Sequence, residues 1–514
     1  VLDPERGTVL DPACGSGGMF VQSARIVEEH GDSPTEKLTF RGLEKNATTI
    51  RLAKMNLAVH GLEGDIQKAI TYYEDPHELV GKADYVMANP PFNVDEIDAD
   101  KVKSDPRLPF GLPGVNKGGK VSNGNYIWIS YFYSYLSNKG RAGFVMSSQA
   151  SSAGGGEAKV RQKLVETGDV DAMIAIRSNF FYTRTVPCEL WFLNRNKPKA
   201  HKDKVLMIDA RNVYRKVTRK IYDFSPEQQQ NLQAIVWLYR NETDRYLQLV
   251  SHYLGKVADE AQACFKVEDN LGQTFQPLPD FSAALKALRH TLTPFLKSQP
   301  KTGPQAEVLQ ELEKETSLFE QDIDQFRKSA LEAAKRWKTA PNTNVALIKL
   351  TKAFEPMAET SRDLIKQTDL IYKLATRLID TCENECHAKD HDAWGSRDIT
   401  RARKATDEAR GLVVEQLKQV RYFWKQAHWL TERFPEAKLR DVEGLVKLVD
   451  IKEIEANDWS LTPGRYVGVA PEEVDENFDF EETLHEIHVE LEDLNAEAVT
   501  LAATIKKNFE ELGV

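Results

Sequence analysis

At 514 residues and 58.2 kDa the chain is too long for one hydrophobic core and suits two to four domains of ~100 to 200 residues each. With 41% hydrophobic and 28% charged residues and a mean hydropathy of -0.48, its composition excludes a disordered chain, and no apolar run approaches the ~20 residues of a membrane span. The formal charge of -10 argues against a nucleic-acid partner only until it is divided, because residues 101 to 220 hold 22 Lys and Arg against 8 Asp and Glu while the segments before and after are acidic.

The opening Val1-Leu2-Asp3-Pro4 has neither a basic start nor an apolar signal region, and five cysteines, odd in number and scattered, read as reduced thiols; a cytoplasmic location is expected. A first apolar strand, Gly7 to Leu10, runs into Asp11-Pro12-Ala13-Cys14-Gly15-Ser16-Gly17-Gly18-Met19-Phe20, and an amphipathic helix follows to about His30. Glycines let the backbone turn sharply against a ligand, and the free amides at the helix start favour an anionic group such as a carboxylate. The loop lacks the Lys of a phosphate-cradling loop and its glycines miss the dinucleotide spacing, which disfavours ATP and NAD. Cys14 has no His near it in sequence to act as a base and reads as a small packing residue. The next strand, Leu38 to Leu43, ends in Glu44, placed to bind paired ribose hydroxyls at the carboxyl edge of a sheet, which suggests an adenosyl ligand.

About 45 residues on, the strand Tyr85 to Ala88 ends in Asn89-Pro90-Pro91-Phe92 at the same edge. An Asn oxygen and a prolyl carbonyl can accept the two hydrogens of an exocyclic amine and aim its lone pair at a methyl donor, while Phe92 stacks on the base. Asn-Pro-Pro is also a common turn; paired with the first loop, the acceptor reading is favoured. Between Phe92 and Asn125 lies a long Gly-, Pro-, Asp- and Lys-rich stretch, a candidate substrate loop. The strands Ala142 to Met146, Val170 to Ile176 and Glu189 to Leu193 carry the alternation to about residue 200, predicting a wound α/β domain with a largely parallel sheet. Phe180-Phe181-Tyr182 precede the last strand, where an extruded base could stack on Phe181 and Tyr182; buried packing is the other reading. The basic block from 101 to 220 contains both this cluster and the long loop, and reads as a nonspecific phosphate-facing surface or as a solvated basic face.

Beyond about residue 225 helix dominates. Leu309, Leu312, Thr316, Phe319, Ile323, Phe326, Ala330, Ala333 and Trp337 keep a 3,4 spacing, as do Leu350, Phe354, Met357, Ser361, Leu364, Thr368, Ile371, Ala375 and Leu378, and Pro341-Asn342-Thr343-Asn344 between them predicts an antiparallel, coiled-coil-like hairpin. A third helix is expected over roughly 398 to 430, and a last one carries the apolar seam Leu484, Ile487, Leu491, Leu494, Ala498, Leu501 and Ile505. Cys382, Cys386, His387 and His391 have tempting metal spacing, but on one helix the Cys and His pairs face opposite sides, and no metal site is expected. Three domains follow: 1–225 catalytic, 226–435 helical, and 436–514 a C-terminal segment for assembly.

The glycine loop and Asn89 to Phe92 closely resemble the cofactor and catalytic motifs of amino-group DNA methyltransferases, and specifically of the modification subunits of type I restriction and modification systems. Asn125 to Ser148, Phe180 to Leu193 and Leu461-Thr462-Pro463-Gly464-Arg465-Tyr466-Val467-Gly468 resemble further segments of that subunit. The resemblance implies a Rossmann-like class I methyltransferase domain followed by a mostly helical region, S-adenosylmethionine as donor, and N6-methyladenine as product. It implies that Asp11 to Phe20 and Glu44 bind the donor, with Asp65 the nearest candidate for the acidic contact to its adenine, and that Asn89, Pro90, Pro91 and Phe92 act on the target base. It also implies double-stranded DNA, a specificity subunit, a restriction subunit and a second modification subunit as partners, without a membrane. The family pattern places a helical region and a further cofactor motif ahead of the glycine loop, and the sequence starts too close to Asp11 to hold them. Residues 255 to 430 read as a helical insertion that the family pattern does not require. A methyltransferase acting on RNA or protein, or a noncatalytic assembly subunit, is the alternative.

Overall fold

The computed structural model describes residues 1–180, 185–218, 221–268 and 272–470, and in the terminal helix 484, 487, 488, 491, 495 and 498–506. The chain divides into two compact units, Val1–Gly468 and Val469–Val514.

The first unit is built on a nine-stranded sheet: β1 (Gly7–Asp11), β2 (Leu38–Glu44), β3 (Gly64–Lys68), β4 (Ala83–Ala88), β5 (Leu136–Ser147), β6 (Val170–Ile176), β7 (Cys188–Asn194), β8 (Lys204–Asp209) and β9 (Val446–Asp450). Their spatial order is β3-β2-β1-β4-β5-β7-β6-β8-β9. All neighbours run parallel except around β7, antiparallel to both β5 and β6, and at β9, antiparallel to β8. The carboxyl ends of β1, β2, β4, β5, β6 and β8 therefore share one edge, the edge where open α/β sheets bind ligands. This is the Rossmann-like methyltransferase arrangement that the sequence predicts.

Central strands are covered on both faces, so β6 is buried at every position and reads in sequence as an apolar run from Ala172 to Ile176, its buried Asp171 accepting from the Tyr239 hydroxyl at 3.0 Å. On one face α3 (Asn125–Tyr135) and α4 (Gly155–Glu166) cover Phe144, Met173 and Trp191. On the other, α5 (Pro226–Tyr239) and α6 (Thr243–Ala263) share a core with Ile174, Ile176, Leu206 and Ile208, so the first helices beyond residue 225 pack directly on the sheet. β3 escaped the sequence reading because an edge strand needs few apolar residues, and only Ile66 in it is buried. β9 lies more than two hundred residues from the strand it pairs with, and no local pattern announces such a return.

The helical region continues through α7 (Pro277–Ser298), α8 (Pro304–Thr339), α9 (Asn344–Asn384) and α10 (Ser396–Arg433). Leu312, Phe319, Ile323, Phe326 and Ala330 of α8 and Leu350, Phe354, Met357, Leu364 and Ile371 of α9 are buried, at the spacing read from the sequence. α10 is tied back by Trp424, whose Nε1 donates to the Thr351 carbonyl at 3.0 Å. Helix α9 stops at Asn384, so Cys386, His387 and His391 do not share a helix with Cys382 as the spacing argument supposed. Among the described residues no three His, Cys, Asp or Glu side chains are placed to hold a metal ion, and no helix is long and apolar enough to cross a membrane. In the second unit the described residues 484, 487, 488, 491, 495 and 498–506 are helical, and Leu484, Ile487, Leu491, Leu501 and Ile505 are all exposed.

Candidate functional site

Strand β1 delivers Asp11 to the shared edge. Its side chain is buried, 2% exposed, and its Oδ1 accepts the Ala13 N–H at 3.0 Å. Burial pushes the carboxyl up to about 7, with the charge of Glu44 adding to the rise and the Ala13 bond opposing it. The loop beyond is held from several sides. Cys14 N–H donates to the Leu43 carbonyl at 3.0 Å, Gly17 N–H to the Cys14 carbonyl at 2.9 Å, Thr71 Oγ1 to the Pro12 carbonyl at 2.6 Å and Asn56 Nδ2 to the Ser16 carbonyl at 2.9 Å. Gly15 and Gly17 have φ of +51° and +78°, the left-handed region that a side chain resists, which is why glycine stands there before α1 (Gly18–Glu29). Cys14 is buried against Gly42, and burial raises its thiol above the usual range, so it is a packing residue and not a nucleophile.

Glu44 ends β2, and its Oε1 accepts the Asn46 N–H at 2.8 Å; Asn46 in turn caps α2 (Ala47–Val59). A cleft opens beside it. Pro12 and Ala13 of the glycine loop, Glu44 and Lys45, Ala69 to Tyr72 after β3, Trp128 of α3, and Pro91 and Val94 after β4 line its walls. One cleft thus joins the loop, the acidic residue and the Asn-Pro-Pro turn, three features separated widely in sequence. Asp65 is not among its walls. It sits three residues before the end of β3, where its Oδ2 accepts from Arg41 Nη1 at 2.7 Å and Gln67 Nε2 at 3.1 Å. The residues after β3, Ala69 to Tyr72, line the cleft where Asp65 does not.

Asn89 follows β4, is exposed, and its side-chain amide makes no hydrogen bond with a described residue. Pro90 is buried, Pro91 exposed, and Phe92 half-buried against the cores on both faces of the sheet. The turn is braced by two asparagines the sequence reading passed over. Asn93 N–H donates to Asn125 Oδ1 at 2.9 Å, while Asn125 Nδ2 and Asn123 Nδ2 donate to Asn93 Oδ1 at 2.9 and 3.1 Å. Asn125 is 2% exposed, and a lone Asn opening an otherwise aromatic, apolar helix was the available signal. Asn125→Ala leaves the Asn93 N–H without this partner and its Oδ1 with Asn123 alone, a cost of about 1 to 3 kcal/mol, and on the activity the resemblance implies it is expected to slow methyl transfer ~10-fold or more with little change in donor affinity. Single-turnover rates beside calorimetry check this.

The stretch from 93 to 124, which the sequence predicts as a substrate loop, is anchored to the domain around it. Arg107 is buried, ion-paired to Asp105 at 2.7 Å, donates to the Thr71 carbonyl and Tyr135 hydroxyl at 2.9 Å each, and stacks 4.0 Å from the Tyr131 ring. Of the aromatic cluster, Phe181 and Tyr182 lie outside the described residues; Phe180 packs 4.6 Å from Phe224.

Glu189, near the start of β7, is buried with no hydrogen-bond partner for Oε2 among the described residues, and burial pushes it up to about 8. A folded-state pKa above the unfolded value favours the folded state fully below pH ~4.5 and loses that contribution as pH rises through ~8. Wild-type melting temperature is therefore expected to fall between pH 5 and pH 9 by more than that of Glu189→Gln, and equal falls in the two proteins would refute the assignment.

The sequence pattern of the N-6 DNA Methylase family matches residues 1–268. The type I restriction enzyme MjaIX methylase subunit of Methanocaldococcus jannaschii is 41% identical over 224 residues, which are 43% of this chain and 39% of that protein. The HindI methylase subunit of Haemophilus influenzae is 34% identical over 229 residues, 44% of this chain and 50% of that protein. Among solved structures, a type I restriction-modification system methyltransferase subunit from Streptococcus thermophilus aligns at a TM-score of 0.40 and 24% identity, covering 45% of this chain and 48% of that one. The chain spans half or less of the length of these two curated relatives.

Proposed function

The chain belongs to the N-6 DNA methylase family, and from that membership we propose that it transfers a methyl group from S-adenosylmethionine to the N6 amine of adenine in DNA, as the modification subunit of a type I restriction and modification complex in the cytoplasm. The observation that carries the reading is the cleft whose walls bring together the glycine loop, Glu44 and Pro91. The bound donor supplies an electrophilic methyl group on sulfur. Glu44 would take the ribose hydroxyls, the loop from Gly15 to Gly18 would take its carboxylate, and the apolar walls at Ile70 and Trp128 would hold its adenine. Asn89 Oδ1 and the Pro90 carbonyl accept the two amine hydrogens of the target, so the nitrogen lone pair points at the methyl carbon. As the amine takes the methyl group and the bonding pair stays on sulfur, the proton it gives up would leave to water at the exposed Asn89. Phe92, with Phe181 and Tyr182, stacks on the extruded base.

Residues 1–225 serve catalysis, 226–435 form a helical region whose α8 and α9 make a coiled-coil-like hairpin, and 436–514 serve assembly. The partners are double-stranded DNA, a specificity subunit that reads sequence, a restriction subunit and a second modification subunit. Exposure of Leu484, Ile487, Leu491, Leu501 and Ile505 supports docking of the terminal helix on the specificity subunit; Leu494 of the same seam lies outside the described residues. Transfer of a labelled methyl group, offered in parallel to duplex DNA, transfer RNA and a protein extract with the specificity subunit present, tests the acceptor. Label in DNA alone is expected, and label in RNA or protein instead would replace this reading by another amino-group methyltransferase.

A further inference from the structure

The edge that carries Asn89 continues past β5 and β7 to β6, where the residue after Ile176 is Arg177. Its guanidinium rests against two tyrosine rings, 4.4 Å from the centre of Tyr214 and 4.7 Å from that of Tyr222, which themselves meet edge to face at 5.1 Å. Both tyrosines belong to the segment after β8, which forms an antiparallel hairpin of Arg215–Thr218 with Ile221–Asp223. Tyr222 N–H donates to the Asn179 carbonyl at 3.1 Å and Phe224 packs on Phe180, so the hairpin is fixed to residues 177–180 at the ligand edge.

Charge is unevenly compensated there. Arg211 pairs with Asp209, and Arg215 pairs with Asp223 at 2.7 Å, with Glu227 of α5 also close enough to act on Arg215. Arg177 and the exposed Lys216 have no ion pair with a described residue. A guanidinium already resting against two rings gives up less rotamer freedom than a free one when its N–H groups meet a bidentate acceptor, and phosphate is such an acceptor. The site stands three strand positions from β4, ~14 Å at ~4.8 Å per strand, or about four base pairs of duplex.

We propose that Arg177, held against Tyr214 and Tyr222, and Lys216 on the hairpin clamp the phosphodiester backbone of a DNA duplex beside the base presented to Asn89. The proposal rests on the reading of DNA as substrate and assigns a surface that sequence-independent binding uses. The test is fluorescence anisotropy of the full chain on a short labelled duplex over a range of salt concentrations. Each lost phosphate contact lowers the slope of log affinity against log salt by about 0.9, so Lys216→Gln is expected to lose ~0.9 and Arg177→Gln with Lys216→Gln ~1.8, with affinity falling at low salt. Lys216 is exposed and its replacement cannot unfold the chain, so a Lys216→Gln slope equal to wild type overturns the clamp even if the double variant loses its hairpin. Duplex binding and DNA methylation by wild type with unchanged slopes would sink the clamp alone. Failure of the wild type to bind duplex DNA at all would sink both the clamp and the substrate reading.

Discussion

Gly15→Val is expected to abolish S-adenosylmethionine binding, a loss of more than ~100-fold in affinity measured by calorimetry. Two effects combine. At a φ of +51° a β-branched residue is forced into the left-handed region, which costs about 1 to 2 kcal/mol even for a plain side chain, or ~5- to 30-fold in affinity if the loop yields. Apart from its chain neighbours, nothing lies within 4 Å of where a Cβ at Gly15 would stand, so the side chain enters open space rather than a packed core, and on the proposed reading that space belongs to the donor. Gly15→Ala separates the two effects, because it carries the strain with little bulk and is expected to weaken binding only ~10-fold. Neighbouring Gly17 does not offer the same test, since a Cβ there meets Ala53 of α2 at 3.6 Å and a larger side chain would disturb the fold. Unchanged affinity in Gly15→Val, with the fold intact by circular dichroism, would remove the loop from the donor site.

Asn89→Ala has the second large expected effect and the opposite signature. The side chain is exposed, bonds no described residue and braces nothing, so its removal should leave melting temperature and donor affinity within experimental spread. Methyl transfer should fall ~100- to 1000-fold, the size of effect seen when one preorganised polar group aimed at the reacting centre is lost. Phe92→Ala should be milder in transfer, since stacking on a base is worth about 1 to 3 kcal/mol, but it also removes packing against both cores and should lower the melting temperature, which Asn89→Ala does not. Normal transfer by Asn89→Ala would show that the target amine is held elsewhere.

What the sequence made legible and what it hid follow from the range of the forces involved. The glycine loop, Glu44 and Asn89 each end an apolar strand, so local periodicity placed all three on one edge before their contacts could be known. The spacing of Leu312, Phe319 and Ile323, and of Leu350, Phe354 and Met357, marked two long helices because a buried stripe recurs every three or four residues. Where Asp65 lies along its strand is not readable from sequence distance; it pairs with Arg41 on the neighbouring strand, while Ala69 to Tyr72, which the sequence does not mark, line the cleft. The brace between Asn93 and Asn125 spans 32 residues and is a fit of two amides, which no pattern of hydrophobicity records. The contact of Arg177 with Tyr214 and Tyr222 is hidden for the same reason, although the charge of the 101 to 220 block points to its neighbourhood.

The central claim is that this edge of the sheet methylates the N6 amine of adenine. Mass spectrometry of nucleosides from DNA of cells making the chain together with a specificity subunit tests it most directly. The account predicts N6-methyladenine in that DNA and its loss when Asn89→Ala is substituted. DNA carrying N4-methylcytosine in its place, or N6-methyladenine undiminished in the Asn89→Ala cells, would contradict it.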